Sequence, residues 1–436
     1  MDDTVSARKA EVAAAAVAQG LLDTERLLAG FVDLAGVGEQ VAALHAAFPA
    51  HFMHAFAAKA GCLEGILRLV RAHGMACEVA SPGEMAQALA AGFAPARIVF
   101  DSPAKTWTEI RAGLGQGMIV NLDNWQELDR VDVVMRELSG SRSTVGIRIN
   151  PQVGVGAIAA MSTATRTSKF GIALEDDGNR ARLIEAYRQR PWLTCVHVHV
   201  GSQGCPLELI GHGVGKAVAL AQQINAELGR PQVRTIDIGG GLPVNFASDV
   251  ASPTFAEYAA MLRELVPALF TGEFAVITEF GRSIMAKNGF VIARVEYTKS
   301  TGGRRIALTH AGAQVATRTV FMPELWPIRV SALDPMGRPK TGARVEQDVA
   351  GPCCFAGDII ASSRSLPLLA PDDWVMLHDT GAYYFSTPFV YNSLPRVAVH
   401  GFRVDGGAVR FELLRAEESL AELLAATGLP AGAPSL

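Results

Sequence analysis

Cysteine, excess charge and long apolar runs are all scarce in this chain of 436 residues. Its six cysteines (Cys62, Cys77, Cys195, Cys205, Cys353 and Cys354) are scattered and lack zinc-ligand spacing. Reduced thiols in a cytoplasmic protein without a resident metal are therefore expected. Lysine and arginine number 39 against 43 acidic residues, a net charge of -4, so no basic surface for nucleic acid or an anionic membrane is foreseen. Apolar runs break well short of the roughly 18 residues that a membrane span requires. The opening Met1-Asp2-Asp3 has neither the basic region nor the apolar core of a secretory leader, and none is expected. What is present is ordinary globular material, 49% hydrophobic and 19% charged, enough for about two or three domains with large cores.

From about Ala7 to Ala47 the chain is Ala-rich and reads as helical, with a stripe at Val12, Ala16, Leu21, Leu22 and Leu28. Beyond Phe52 short apolar runs alternate with helix-patterned stretches. The runs are Phe52–Ala58, Ala76–Ala80, Ile98–Phe100, Met118–Leu122, Val145–Ile149, Thr194–Val200, Thr235–Ile238 and Ala275–Thr278. Eight such runs over roughly 230 residues match a (β/α)8 TIM-like barrel better than an open doubly wound sheet, which usually has fewer strands. After Gly289 the pattern turns to β-like segments and Gly/Pro turns: Phe290–Tyr297, Arg305–Thr309, Trp374–His378 and Val397–Val404. The expected organisation is an N-terminal segment over 1–35 packing with the C-terminal domain, a barrel over 36–288, a mainly β domain over 289–425, and a loose tail over 426–436.

Barrels of this kind collect their chemistry at the C-terminal ends of the strands. Lys59 stands there after the first run, an odd residue to bury because an unpaired ammonium is costly to desolvate. The second run carries Glu78, the fifth Arg148, and the sixth ends in His197-Val198-His199-Val200-Gly201-Ser202-Gln203. The seventh leads into Asp237-Ile238-Gly239-Gly240-Gly241 and the eighth into Glu279-Phe280-Gly281-Arg282. Consecutive glycines let backbone amides approach an anion, and a phosphate site after the last two strands is a recurrent barrel feature. A lysine, a phosphate cradle, a flat histidine and a carboxylate together suit pyridoxal phosphate. That cofactor needs a Schiff-base amine, an anchor, and a group facing its ring nitrogen, here Glu279.

These motifs resemble the fold-type III pyridoxal-phosphate decarboxylases, the group of diaminopimelate, ornithine and arginine decarboxylases. The resemblance runs from about Phe52 to Phe402. It includes Glu78-Val79-Ala80-Ser81-Pro82-Gly83-Glu84, Ser168-Lys169-Phe170-Gly171, Gly351-Pro352-Cys353-Cys354-Phe355-Ala356-Gly357-Asp358, Gly381-Ala382-Tyr383 and Tyr391-Asn392-Ser393. It implies an alanine-racemase-like barrel followed by a mainly β domain, and a homodimer with shared sites acting on an amino acid. Lys59 would hold the cofactor, His199 would stack on its ring and Glu279 would face its nitrogen. Glu78, Arg148, Ser202, Gly239, Gly240, Gly241, Gly281, Arg282 and Tyr383 would complete the cofactor site. Cys354 would come from the second subunit and return a proton to carbon after carbon dioxide leaves.

The departures concern the substrate. Phe355 stands where the relatives carry an acid, and Met322-Pro323-Glu324-Leu325-Trp326 stands where diaminopimelate enzymes carry Arg-Pro-x-x-Tyr. Pro327 replaces an ornithine-type aspartate, and Phe280 replaces a usual proline. Phe355, Met322, Trp326, Arg318 and Asp358 are the expected substrate neighbours, with Arg329 and Arg364 as further candidates for a carboxylate-bearing tail. The expected activity is decarboxylation of an amino acid or conjugate other than plain ornithine or diaminopimelate, such as a siderophore or other specialised-metabolite precursor. Three alternatives stay open: a diaminopimelate decarboxylase with an altered pocket, a racemase, and an inactive regulatory relative. Racemases of this plan face the ring nitrogen with arginine, which Glu279 opposes. A dead relative would have lost Lys59, His199, Glu279 and Cys354.

Overall fold

Each expected run of the first half forms a strand, and the strands close on themselves. In the computed structural model, which describes residues 2–138 and 140–428, β1 (Leu28–Asp33) precedes the ring and does not join it. The strands that follow are β2 (Phe52–Ala57), β3 (Ala76–Val79), β4 (Ile98–Asp101), β5 (Ile119–Leu122) and β6 (Val145–Asn150). After them come β7 (Ile172–Ala173), β8 (Leu193–Val198), β9 (Thr235–Asp237) and β10 (Ala275–Phe280). The parallel order β5-β4-β3-β2-β10-β9-β8-β6 is closed by pairing of β5 with β6, and the two-residue β7 adds beside β6. This is the (β/α)8 barrel that the spacing predicts. Its strands are buried almost throughout, as parallel strands must be when helices cover one side and packed side chains fill the other.

Helices start where the chain leaves a strand end, and their first turns carry the reason. Ser81 caps Pro82–Ala90 by accepting from the Glu84 amide. Thr106 with Glu109, and Thr254 with Glu257, form reciprocal capping boxes that begin Trp107–Gln116 and Phe255–Leu265. Phe280, at the usual proline, fills space on the barrel by meeting Phe255 and Tyr258 edge-on at centroid distances of 5.1 and 5.7 Å.

The remaining strands are β11 (Gly289–Thr301), β12 (Arg304–Thr309), β13 (Val330–Leu333), β14 (Arg344–Ala350), β15 (Ile359–Pro367), β16 (Trp374–Leu377), β17 (Ala398–Asp405) and β18 (Ala408–Arg415). They form a sheet in the order β15-β14-β12-β11-β1-β17-β18, with β16 pairing to β11 and β13. The chain divides into two compact units. One comprises Gly38–Val244 and Ser252–Ile284; the other comprises Met1–Val37, Asn245–Ala251 and Met285–Leu436. The core of the second unit packs Val12, Ala13, Ala16 and Leu22 against Phe31, Phe290, Ile292, Leu333, Trp374, Met376 and Phe402.

The helical reading of Ala7–Ala47 needs correction. Helices Ala7–Ala18 and Leu34–Ala47 flank β1, which pairs antiparallel with β11 and parallel with β17. Local pattern does not reveal this strand because both of its partners lie hundreds of residues away. The β-like second half likewise holds a helix, Ala313–Phe321, and strands β13, β14, β15 and β18 beyond the four expected. The tail expected over 426–436 lies outside the described residues from 429 onward. Among the described residues no helix is long and apolar enough to cross a membrane.

Candidate active site

Strand register sets one polar layer inside the barrel. Arg148, His197 and Asp237 sit opposite one another on β6, β8 and β9, and Asp101 pairs with Asn121 across β4 and β5. Glu78 is the penultimate residue of β3, while Glu279 lies two residues beyond Ile277, the partner of Asp237, and therefore on the same face. All seven side chains are buried.

Lys59 follows β2 on the turn Ala58–Ala60 and pairs with Glu78. Burial pushes the Glu78 carboxyl up, and Lys59 opposes that shift. Arg148 donates to Asp101 at 2.9 Å and lies 4.3 Å over the Phe170 ring, so both its charge and its flat face have protein partners. Burial raises the Asp101 carboxyl, but Arg148, His197 and Lys105 outweigh it and hold the group well below the usual carboxylate range. His197 is neutral: burial drives its pKa to about 3. Its Nδ1 is 3.8 Å from Asp101 and its Nε2 is 3.9 Å from Glu279, beyond direct hydrogen bonding. Asp101, His197 and Glu279 each bring one donor atom within 4.8 Å of the others, a spacing that a small cation spans.

His199 has its pKa driven well below the ordinary value by burial, then by Arg148 and Lys59. The Gly240 amide donates to its Nδ1 at 3.1 Å, so the neutral ring carries its proton on Nε2. The triple-glycine turn admits no other residues. A Cβ on Gly240 would lie 2.1 Å from the Glu279 carbonyl oxygen, and one on Gly241 (φ +98°) 1.9 Å from that of Gly201. Gln203 holds the next segment by donating to the Val244 carbonyl at 2.7 Å and accepting from its amide at 2.9 Å. Arg282 donates to Ser202 at 3.5 Å, joining the ends of β8 and β10. Gly281 approaches the lysine turn so closely that a Cβ there would meet that of Ala60 at 2.7 Å.

The structure thus gathers Lys59, Glu78, Arg148, His199, Ser202, Gly239, Gly240, Gly241, Glu279, Gly281 and Arg282 at one end of the barrel. It adds Asp101, Asn121, His197 and Asp237, none of which has an expected role above. Their signal was a polar residue at or near the end of an apolar run, the same signal that singled out Lys59. The donor set fits pyridoxal phosphate on one structural observation: on the same barrel end as Lys59, Glu279 has a buried Oε1 without a hydrogen-bond partner, an open acceptor for a cationic N–H.

The other residues with expected roles lie on the second unit. Cys354 is exposed, its amide donating to Asn392 Oδ1 at 2.8 Å, while Cys353 is buried and burial raises its thiol to about 11. Phe355 stacks on Phe321 at 5.5 Å and meets Tyr391 edge-on at 5.6 Å; Phe389 closes a four-ring cluster with both. Phe321 and the neighbouring Met322 are solvent-exposed. The Arg318 guanidinium lies over the rings of Trp326 and Tyr383 at 5.2 and 4.7 Å, and among the described residues no carboxylate comes within 4.0 Å of it. Two expectations are corrected. Both carboxylate oxygens of Asp358 accept backbone amides, from Ala313 and Cys353 at 2.7 Å each, so it holds the cysteine loop. Arg329 is fully buried and paired with Asp249 and Asp379, which removes it as a partner for a substrate tail. Arg364 donates to the Ile328 carbonyl at 3.1 Å.

Comparison with known proteins agrees with this geometry. Residues 34–286 match the family model described as pyridoxal-dependent decarboxylase, pyridoxal binding domain. A diaminopimelate decarboxylase of Pseudomonas aeruginosa is 32% identical over 377 residues, 86% of each chain. One from Archaeoglobus fulgidus is 29% identical over 389 residues, 86% of this chain and 87% of its own. The crystal structure of the Helicobacter pylori diaminopimelate decarboxylase complexed with L-lysine superimposes with a TM-score of 0.82 at 25% identity, covering 94% of this chain and all of that one. A lysine/ornithine decarboxylase of Vibrio vulnificus, at 22% identity and a TM-score of 0.76, shares the fold.

Proposed function

The chain belongs to the pyridoxal-dependent decarboxylases and is a pyridoxal-phosphate-dependent amino-acid carboxy-lyase, and from that premise we propose that its substrate is larger than, or differently charged from, ornithine and diaminopimelate. The observation that carries this reading is the setting of Phe355. A distal ammonium would meet an aromatic cluster there instead of a carboxylate, and losing a buried counter-ion costs a few kcal/mol. Arg318, a cation without a carboxylate partner among the described residues, suits a tail bearing a carboxylate. An amino-acid conjugate of the kind built into siderophores has that character.

Bound pyridoxal phosphate supplies an electron sink for the pair left when carbon dioxide departs. In our reading Lys59 provides the amine that holds the cofactor, and Glu78 keeps that amine oriented and charge-compensated before it reacts. His199 offers a neutral flat ring to one cofactor face, its Nδ1 pinned by Gly240. The glycine turn, Ser202 and Arg282 receive the phosphate, with Tyr383 as a further contact. Glu279 faces the ring nitrogen. Cys354, contributed by the second copy in a homodimer, delivers a proton from Sγ to the α-carbon.

A second reading, diaminopimelate decarboxylation through an altered pocket, draws its support from the 32% identity to a relative of that name. A panel of amino acids assayed for carbon dioxide release separates the two. Turnover is expected with conjugated substrates, or with ones whose tail carries a carboxylate without a free ammonium, and not with ornithine or diaminopimelate. Rapid turnover of meso-diaminopimelate would refute the first reading. Borohydride should fix the cofactor at Lys59, and a colourless protein that takes up none would refute both.

A further inference from the structure

The ladder that holds β8 ends just before His199 and Ser202. Val198 is the last residue of the strand, paired with Ile149 on β6, while the pairing with β9 stops one residue earlier, at His197 and Asp237. Beyond that register the chain is held by the connection from β6 to β7, residues 151–171. The Thr163 amide donates to the Val200 carbonyl and the Ser202 amide to the Met161 carbonyl, both at 3.0 Å, in an antiparallel bridge centred on Ser162 and Gly201. The Ala157 amide adds a bond to the Gly204 carbonyl at 2.7 Å. The strap so formed is itself tied down. Ser162 Oγ accepts from the Gly156 amide at 2.8 Å, and Asn150 at the end of β6 donates to the Thr165 carbonyl at 2.7 Å. Main chain of any sequence can make the bridge. One bond depends on a side chain: Thr163 Oγ1 donates to the His199 carbonyl at 2.5 Å.

We propose that Thr163 is a positioning residue for cofactor binding, its hydroxyl setting where the His199 ring stands against the cofactor face. The inference rests on the reading in which His199 stacks on the cofactor, and it adds what places the ring there. Two bonds to His199 divide the task. The Gly240 amide, donating to Nδ1 at 3.1 Å, fixes the rotation of the imidazole. Thr163 fixes the peptide from which that side chain springs, one residue past the last register pair. The ring has no room to settle toward the glycine turn, because it packs so closely on Gly239 that a Cβ there would lie 2.5 Å from Nδ1. The strap also determines what Ser202 offers to an anion. With its amide spent on Met161, Ser202 has its hydroxyl left, which Arg282 reaches at 3.5 Å. Valine matches threonine in shape but lacks the O–H, so at position 163 it would keep the backbone bridge and lose this one bond.

The test compares Thr163→Val with Thr163→Ser in the full chain, stripped of cofactor and titrated with pyridoxal phosphate, folding being checked by far-ultraviolet circular dichroism. Loss of the bond should weaken cofactor binding about three- to tenfold in Thr163→Val, whereas Thr163→Ser, which keeps the hydroxyl, should bind within about twofold of wild type. At saturating cofactor the visible circular dichroism of the bound ring, which reports its asymmetric contacts, should fall in Thr163→Val and return in Thr163→Ser. A loss of stability alone would leave that signal unchanged. A serine variant as impaired as the valine variant, or a valine variant equal to wild type in both readings, would overturn the inference. His199→Ala separates it from the reading beneath: if that variant also leaves affinity and visible signal unchanged, His199 does not face the cofactor and both fall. Should Thr163→Val not fold, Thr163→Ala against Thr163→Ser gives the same comparison, and free amide exchange at Ser202 in the wild-type holoprotein would overturn the inference in either case.

Discussion

Replacing Gly241 by alanine is the most direct probe of the phosphate turn. Its φ of +98° is one that L-residues adopt at a cost of about 1–2 kcal/mol, and its Cβ would sit 1.9 Å from the Gly201 carbonyl oxygen. Ordinary contact begins near 3.4 Å, so one backbone segment must retreat by about 1.5 Å. Neither can do so by changing a rotamer, because both sides of the clash are main chain. Sliding is also resisted, since Gln203 clamps Val244 through two hydrogen bonds. Displacing the turn amides and distorting the loop adds a cost similar to the φ penalty, for a total of about 2–4 kcal/mol. The φ penalty falls on folding stability, whereas the displacement, about 1–2 kcal/mol, is felt at the phosphate, so at 1.4 kcal/mol per decade pyridoxal phosphate should bind about 5- to 30-fold more weakly. Fluorescence titration of the apoprotein measures this directly. Gly229 is the control, because its φ is also positive at +60° and nothing lies within 4 Å of its Cβ position. Alanine there should cost about 1 kcal/mol of stability and leave cofactor affinity unchanged. If Gly241→Ala binds cofactor within twofold of wild type, the turn does not hold the phosphate.

Three further outcomes are expected. Glu279→Ala should retain cofactor but lose about a hundredfold or more in decarboxylation rate, read in a carbon dioxide assay; unchanged turnover would mean that another group serves the ring nitrogen. Lys59→Ala and Cys354→Ser should each be inactive alone, yet mixing them after dissociation should restore up to about a quarter of wild-type activity if subunits share sites. No recovery would mean that each copy is complete by itself. Arg329→Met should destabilise the fold by about 1–3 kcal/mol in denaturant titrations, since it removes one of the two cations that hold the buried Asp379 and leaves Lys287 at 3.1 Å. Burial pushes the Asp249 carboxyl up, but Lys9 and Arg329 outweigh it and hold it at about 2. The stability this group contributes is therefore present above about pH 4 and lost as pH falls through about 2, and Arg329→Met should blunt that acid transition.

The barrel was legible because its signal is local and repeated: a strand-length apolar run, a polar or charged residue at its end, then a capped helix. Lys59, Glu78 and Glu279 stand out in that frame because ionisable residues have no packing reason to follow apolar runs. Asp101 and Asn121 carry the same mark but need a neighbour to give it meaning. Arg148 supplies it for Asp101, and Asp237 for Asn121, across strands whose register no single stretch of sequence reveals. Asp358 misled for the opposite reason. It lies within a motif of chemical interest, yet its oxygens are spent on the amides of Ala313 and Cys353. Arg329 misled because an arginine near substrate-like positions looks available until its two aspartate partners, Asp249 and Asp379, are located.

The placing of β1 has a consequence for synthesis. Leu28 pairs with Ala293 and Ala29 with Ala398, so the first strand made waits for both of its neighbours. From Ala29 to Ala398 the ribosome needs about 20–75 s at about 5–20 residues per second. For about the first 13–53 s, until β11 is made, an apolar strand with Phe31 and Val32 destined to be fully buried has two unpaired edges, and one edge stays open until β17 follows. Nascent chains stalled before β17 should therefore depend on a holding chaperone more than the barrel sequence alone does, and loss of the last strands should be felt at residue 28 as much as at residue 400.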